Sequence, residues 1–121
     1  MNNDHSSKKY DLEERTFRFA KDVCQFTKKL NKTVSNIEYI RQVIKSSGSV
    51  GANYIEANES LGKKDFKMRI RISRKESKES TYWLRLIPET NESEIKAEAL
   101  SLHTEAIELK KIFSTILIKS N

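Results

Sequence analysis

Residues 46–60 read SSGSVGANYIEANES, and the fold turns on what this run does. Rich in Ser and Gly, it fits a flexible loop, a phosphate-cradling turn, or the thinned middle of a helix. Periodicity decides among them. Ahead of the run, Ile37, Ile40 and Ile44 recur every three or four residues. The same alternation continues through Ser47, Gly51, Tyr54, Asn58 and Leu61 without losing phase. A loop has no cause to keep such register, so the spacing predicts one helix over 36–61. Gly48 and Gly51 each cost about 1 kcal/mol relative to Ala in a helix interior, and close approach of a neighbouring helix is the expected compensation at both. Gly62 then reads as a left-handed C-terminal stop, and Ser35 with Glu38 has capping-box spacing at the start.

Outward from this helix the same pattern recurs on both sides. Leu12, Phe19, Val23, Phe26 and Leu30 form one apolar stripe beside Arg15, Arg18, Lys21 and Lys28, which predicts an amphipathic helix over 11–30 capped by Asp11 and Glu14. Phe66, Ile70, Ser73, Ser77, Ser80, Leu84 and Ile87 give the clearest heptad, over 63–87. Pro88 should end it, having no amide proton. Asn91 and Glu94 offer a cap for a fourth helix over 92–119, with Ile95, Ala99, Leu102, Ala106, Leu109, Phe113 and Ile116 on its seam. Short connections favour antiparallel neighbours, so the expected fold is all-α, an up-down-up-down four-helix bundle forming one domain over 11–121 behind a disordered tail over 1–10.

The bulk numbers agree with this reading. In 121 residues, 33% charged and 36% hydrophobic, there is one Pro and there are three Gly, too few for the many tight turns of an all-β fold. The single Cys24 has no intramolecular disulfide partner and lies among Phe19, Val23 and Phe26, so it reads as a reduced core residue. The opening MNNDHSSKK lacks the apolar segment of a secretory signal, and no run approaches a membrane span. A cytoplasmic protein is expected. The net charge of +6 favours an acidic partner such as nucleic acid, although charge alone decides little.

Winding the third helix at about 100° per residue, with its heptad face as zero, sorts its charges. Lys63, Lys64, Lys67, Arg71, Arg74, Lys75, Lys78 and Arg85 all fall between roughly 60° and 180°. Asp65, Glu76 and Glu79 fall on the opposite flank beside Ile72 and Trp83, and Arg69 is the one basic residue among them. A basic stripe several turns long matches the repeated phosphates of a nucleic acid, and such contacts give salt-dependent, weakly sequence-selective binding. A solvated face that only keeps the protein soluble is the plainer reading. Apart from Tyr82 the stripe has no aromatic group on which a base could stack, so sequence-specific reading of single strands is not expected.

Trp83 lies off the bundle seam and calls for cover, either from a wider intramolecular core or from another subunit. The second helix has a comparable outer face: Arg41, Lys45, Ser49, Ala52, Asn53, Glu56 and Glu59. There Glu56 could accept from Arg69 or Arg41 in a structural contact. Acid-base catalysis by these carboxylates would need a pocket and a substrate-orienting group that the sequence does not supply, so no enzyme activity, catalytic residue or cofactor is expected. Metal binding is not expected either. His5 sits in the tail, and His103 has Leu100 where a Glu-x-x-His ligand pair needs a carboxylate, with Glu98 and Glu105 nearby. The GSVG of residues 48–51 matches the Gly-x-x-Gly of K-homology RNA-binding domains only superficially, because no strand pattern accompanies it. No phosphate-loop Lys-Ser/Thr follows Gly51.

Taken together, SSGSVGANYIEANES, the KKDF that opens the third helix, and SRKESKESTYWLRLI resemble the bacterial four-helix-bundle family named for the 23S rRNA intervening sequence. The run into Ala52, Asn53 and Glu56 and the Lys64, Asp65, Phe66 opening are the most telling parts. The resemblance covers nearly the whole chain. It implies an antiparallel four-helix bundle and a homo-oligomer, since related proteins form pentameric rings. Such a ring would cover Trp83 and the outer face of the second helix, making Arg41, Asn53, Glu56, Arg69 and Trp83 candidate oligomer or structural contacts. A distantly similar branch serves diversity-generating retroelements, binding nucleic acid and a reverse transcriptase through a basic surface. The resemblance implies no catalytic residues. The expected function is a non-enzymatic oligomeric bundle that binds structured RNA or another nucleic acid through the third helix. The alternative is a protein-association scaffold without a nucleic acid partner.

Overall fold

The computed structural model describes residues 4–121, with side chains from Asp11 onward; residues 1–3 of the expected tail lie outside the described residues. Helices α1 (Asp4–Thr27), α2 (Val34–Asn58), α3 (Lys63–Glu89) and α4 (Lys96–Lys119) follow one another, with a short 3-10 turn, Ser93–Ile95, ahead of α4. Paired side chains fix their directions. Glu13 of α1 accepts from Asn58 near the end of α2, while Gly51 faces Thr16. Between α2 and α3, Asn53 meets Arg69 and Ser46 meets Ser80. Between α1 and α4, Arg15 meets Glu105 and Lys29 meets Glu98. Each pairing runs in opposite senses along its two helices, and α3 packs between α2 and α4 while α1 closes the ring of four. This is the antiparallel up-and-down bundle that the short connections favour.

The expected stripes of α1, α3 and α4 are the observed core. Phe19, Val23, Phe26, Ile70, Leu84, Ile87, Ala99, Ala106, Leu109 and Phe113 are buried, and Phe66, Ile95 and Ile116 pack at its margin. The serines of α3 are buried as well and fully occupied. Ser73 Oγ donates to Val50 O at 2.8 Å across the seam, Ser77 Oγ to Ser73 O at 2.8 Å, and Ser80 Oγ lies 2.9 Å from Ser46 Oγ. Small side chains with satisfied hydroxyls let the two backbones approach without stranding a polar group.

In α2 the expected face is rotated in part: Ser47, Gly51 and Tyr54 are buried as expected and Ile40 packs at the core's margin. Helix continues through 46–58, but Asn36, Val43, Ser46, Ser47, Val50, Gly51, Tyr54 and Ala57 are the buried residues, while Ile37, Ile44 and Leu61 are exposed. Apolarity misled here because the helix presents small polar residues to α3 and places isoleucines at its edges. A Cβ on Gly51 would fall 2.8 Å from Thr16 Oγ1, so the close neighbour is α1. Gly48, by contrast, faces open space, and the compensation expected there does not exist.

The helix ends also differ from expectation. Asp11 lies inside α1, not at its start. Thr33, in extended backbone, caps α2 by accepting from Asn36 N at 3.1 Å; Glu38 instead binds Gln42 and Arg41. Gly62 has φ −152° and ψ 166°, an extended residue leading into α3 and not a left-handed stop; α2 has already ended at Asn58. Pro88 sits within the last turn of α3, where its missing amide removes only one bond before the helix stops at Glu89. Asn91 does not cap α4. Its Nδ2 donates to Asn36 Oδ1 at 2.9 Å and to Ile87 O at 2.9 Å, while Asn36 Nδ2 donates to Asn91 Oδ1 at 2.8 Å and to Asn31 O at 2.9 Å. Two connections are thereby tied together at one pole.

Candidate nucleic-acid interface

The flank of α3 that carries the cations faces α4, and the flank with Glu76, Glu79 and Trp83 faces α2. Lys67 Nζ bonds Asn121 Oδ1, and in the same antiparallel register Arg74 stands level with Ser114 and Lys78 with Lys110. Arg71, Arg74, Lys75 and Lys78 join Lys110 and Ser114 in lining one open groove of about 400 Å³. Lys63, Lys64 and Arg85 are exposed on α3 beyond the groove's ends, while Lys67 is half-buried and drawn toward the chain's last residue. The eight expected residues thus divide into four groove residues, three outliers along the same rod, and one with a structural partner.

Among the described residues, the ion pairs are Arg15–Glu105, Arg18–Glu14, Lys29–Glu98 and Arg41–Glu38, and none neutralises a groove cation. The nearest acidic influence is on the far flank. Burial, then the like charge of Glu79, hold the Glu76 carboxyl above the usual carboxylate range, against the pull of Lys75 and Lys45. The groove therefore concentrates positive charge on the outside of a rigid helix pair, an arrangement that raises the local concentration of anions.

Lys110 and Ser114 were missed because only α3 was wound. Their signal was present: with α4's seam as reference, both fall on the side that an antiparallel neighbour places against the cationic flank of α3.

On the α2 side the expected Glu56 contact is replaced. Arg69 donates to Asn53 Oδ1 at 3.1 Å and Arg41 to Glu38 Oε1 at 3.1 Å, which leaves Glu56 exposed. Asn53 Nδ2 turns back to Ser49 O and Oγ. Trp83 is half-buried within the molecule, its Nε1 donating to Glu79 at 3.1 Å, with Tyr39 at 6.0 Å and Tyr82 edge-on at 4.9 Å between ring centroids. Cys24 is a free, half-buried thiol at the edge of the core and not within it. Among the described residues no three His, Cys, Asp or Glu side chains gather as a metal site would require, and no helix is long and apolar enough to cross a membrane.

Residues 8–115 match the family model described as 23S rRNA-intervening sequence protein. The chain belongs to this family. An intervening-sequence family bundle therefore carries the groove, and the likeness extends to a solved structure. A Bacteroides thetaiotaomicron protein, described as of unknown function and from the S23 ribosomal protein family, superposes with a TM-score of 0.81 at 26% identity, covering 91% of this chain and 97% of that one. No curated protein matches this member of the intervening-sequence family.

Proposed function

We propose that the protein is a non-enzymatic, cytoplasmic homo-oligomer, a pentamer by its resemblance to ring-forming relatives, that binds structured RNA or another nucleic acid through the α3–α4 groove. The observation that carries this reading is the convergence of Arg71, Arg74, Lys75, Lys78 and Lys110 without a counter-charge paired to any of them. Phosphate oxygens are the complementary chemistry, and arginine forks suit them especially well. Release of condensed counterions makes such binding steeply salt-dependent, with a slope of about −0.9 per neutralised phosphate on a B-form duplex.

Titration of a labelled structured RNA at several salt concentrations tests the proposal. Five phosphate contacts would give a slope of about −4.5, and the triple variant Arg71→Glu, Arg74→Glu, Lys78→Glu should abolish most of it. Affinity indifferent to salt, or retained by the triple variant, would rule out this groove.

A protein-association scaffold is the second reading, favoured by the aromatic group on the other flank: Tyr82 is 57% exposed against Trp83 and Tyr39. It predicts no RNA affinity at moderate salt and a polypeptide partner whose binding is lost on Tyr82→Ser.

A further inference from the structure

Resting on the nucleic-acid reading just given, we infer that the groove takes the double-helical form of the polymer, with α4's Lys110 and Ser114 contacting a phosphate row that the α3 cations alone do not reach. Three observations lead there.

Base reading is closed off by the fold itself. An α-helix reads a duplex by entering its major groove, but α3 is flanked by α2 on one side and α4 on the other, so only its outermost face is available. Contacts are confined to what protrudes from the nucleic acid, which is phosphate and sugar.

Unpaired bases have nothing to rest on. Every residue lining the groove is Arg, Lys or Ser. Tyr82, 57% exposed and edge-on to Trp83, is not among the residues that line the groove. Proteins that hold single strands combine a cationic track with stacking platforms, and here the track has no platform. A duplex keeps its bases stacked on one another and asks for none.

The charges are arranged in two dimensions. Lys64, Arg71, Lys78 and Arg85 stand at seven-residue intervals on one line of α3, steps of about 10.5 Å at the rise of an α-helix. That interval is comparable with the roughly 12 Å width of a B-form major groove, so two successive cations can meet the two adjacent phosphate ridges that border one groove of such a duplex. Lys110 and Ser114 stand beside this line on α4, at the lateral offset of about 8–10 Å that separates packed helices. A single strand carries one row of phosphates, whereas a duplex carries two and a denser charge, one per roughly 1.7 Å of axis, which two rows of cations match more fully.

The experiment compares three 20-nucleotide probes by fluorescence anisotropy at low and moderate salt: duplex RNA, duplex DNA of the same sequence, and unstructured oligouridine. Duplex binding at least tenfold tighter than oligouridine is expected. Lys110→Glu should lose as much duplex affinity as Arg74→Glu, and Lys28→Glu, an equal change in charge on the exposed turn after α1, should lose less. Circular dichroism melting checks that each variant is folded, and Lys110→Gln should fall between wild type and Lys110→Glu. A stronger response to RNA than to DNA would identify the A-form helix as the ligand, and equal responses would identify the shared phosphate lattice. Oligouridine bound as tightly as duplex, with a steep salt slope, would overturn the duplex inference and leave the phosphate reading standing. Duplex affinity unmoved by Lys110→Glu yet reduced by Arg74→Glu would overturn the two-row geometry. Failure of all three probes to bind would remove the nucleic-acid reading itself.

Discussion

Where α2 meets α3 the contacting groups are Ser46, Ser73, Ser80 and the backbone of Val50, all buried and hydrogen-bonded. Where α1 meets α4 they are Arg15 with Glu105 and Lys29 with Glu98, all partly in water. The α1–α4 side also opens into a hollow of about 660 Å³ lined by Arg18, Phe19, Ala97 and Leu100. One seam excludes water by using side chains too small to hold the backbones apart. The other spans a wider gap with long charged side chains whose ends stay hydrated. The comparison teaches that closeness of packing in this bundle follows side-chain size, since both seams carry polar groups and the one whose polar groups are small is the tighter.

Four measurements can break or sharpen that contrast. Ser80→Leu places a large group in the close seam and leaves Ser46 Oγ only its 3.4 Å bond to Val43 O, and should cost about 3 kcal/mol, near the upper end for overpacking. A lowered urea midpoint with an unchanged slope is the expected record, and a loss below about 0.5 kcal/mol would mean that the α2–α3 seam has slack.

Gly51→Ala comes next. The new Cβ would press on Thr16, whose hydroxyl is held by Leu12 O at 2.9 Å, while helix propensity improves. The balance of overpacking against roughly 1 kcal/mol of propensity leaves a net loss of about 1 kcal/mol. In a Thr16→Ala background the sign should reverse, which a double-mutant cycle by thermal melting would read directly.

Arg15→Ala tests the open seam. Arg15 Nε and Nη2 donate to Glu105 at 2.7 and 2.9 Å, and these hydrogen bonds to the carboxylate raise the guanidinium's already high pKa, so its charge persists at every usable pH. Exposure limits the pair to at most about 1 kcal/mol. That loss should shrink as salt is added, and a large, salt-insensitive loss would show that α1 and α4 are joined as tightly as α2 and α3.

The smallest effect is expected at Glu76, on the α2-facing flank. A carboxyl held above its ordinary range in the folded state contributes stability that is complete below that range and is lost as pH rises through the folded value. Glu76→Gln should therefore match the native protein in acid and be slightly more stable at neutral pH. The opposite order at neutral pH would show that Lys75 and Lys45 outweigh burial and Glu79.

Element type was legible because apolarity and burial coincide along the stripes of α1 and α4 and at both ends of α3's, as at Phe19, Phe113 and Ile70. It remained legible through SSGSVG because a three-and-four alternation constrains backbone even when the groups are small. What could not be read was the rotation of α2. Ser46 and Val50 are buried by what α3 brings to meet them, and a single helix does not contain its neighbour's shape. The helix ends failed for a related reason. Asn91 has the chemistry of a cap, yet Asn36, distant in sequence, offers it a reciprocal amide pair. At the candidate interface the α3 half was visible as a one-sided charge pattern. The α4 half required knowing which face of α4 lies against it and in what register.

The paired amides of Asn36 and Asn91 make the two ends of the barrel unequal as places to lengthen the chain. At that pole, extra residues between α1 and α2, or between α3 and α4, would have to keep both carboxamides in place. The opposite pole, over 59–62, carries no such amide pair: Leu61 is fully exposed and a Cβ at Gly62 would meet nothing within 4 Å. A graft, a permuted terminus or a protease cut belongs there, where the polypeptide has spare room and little to unlearn.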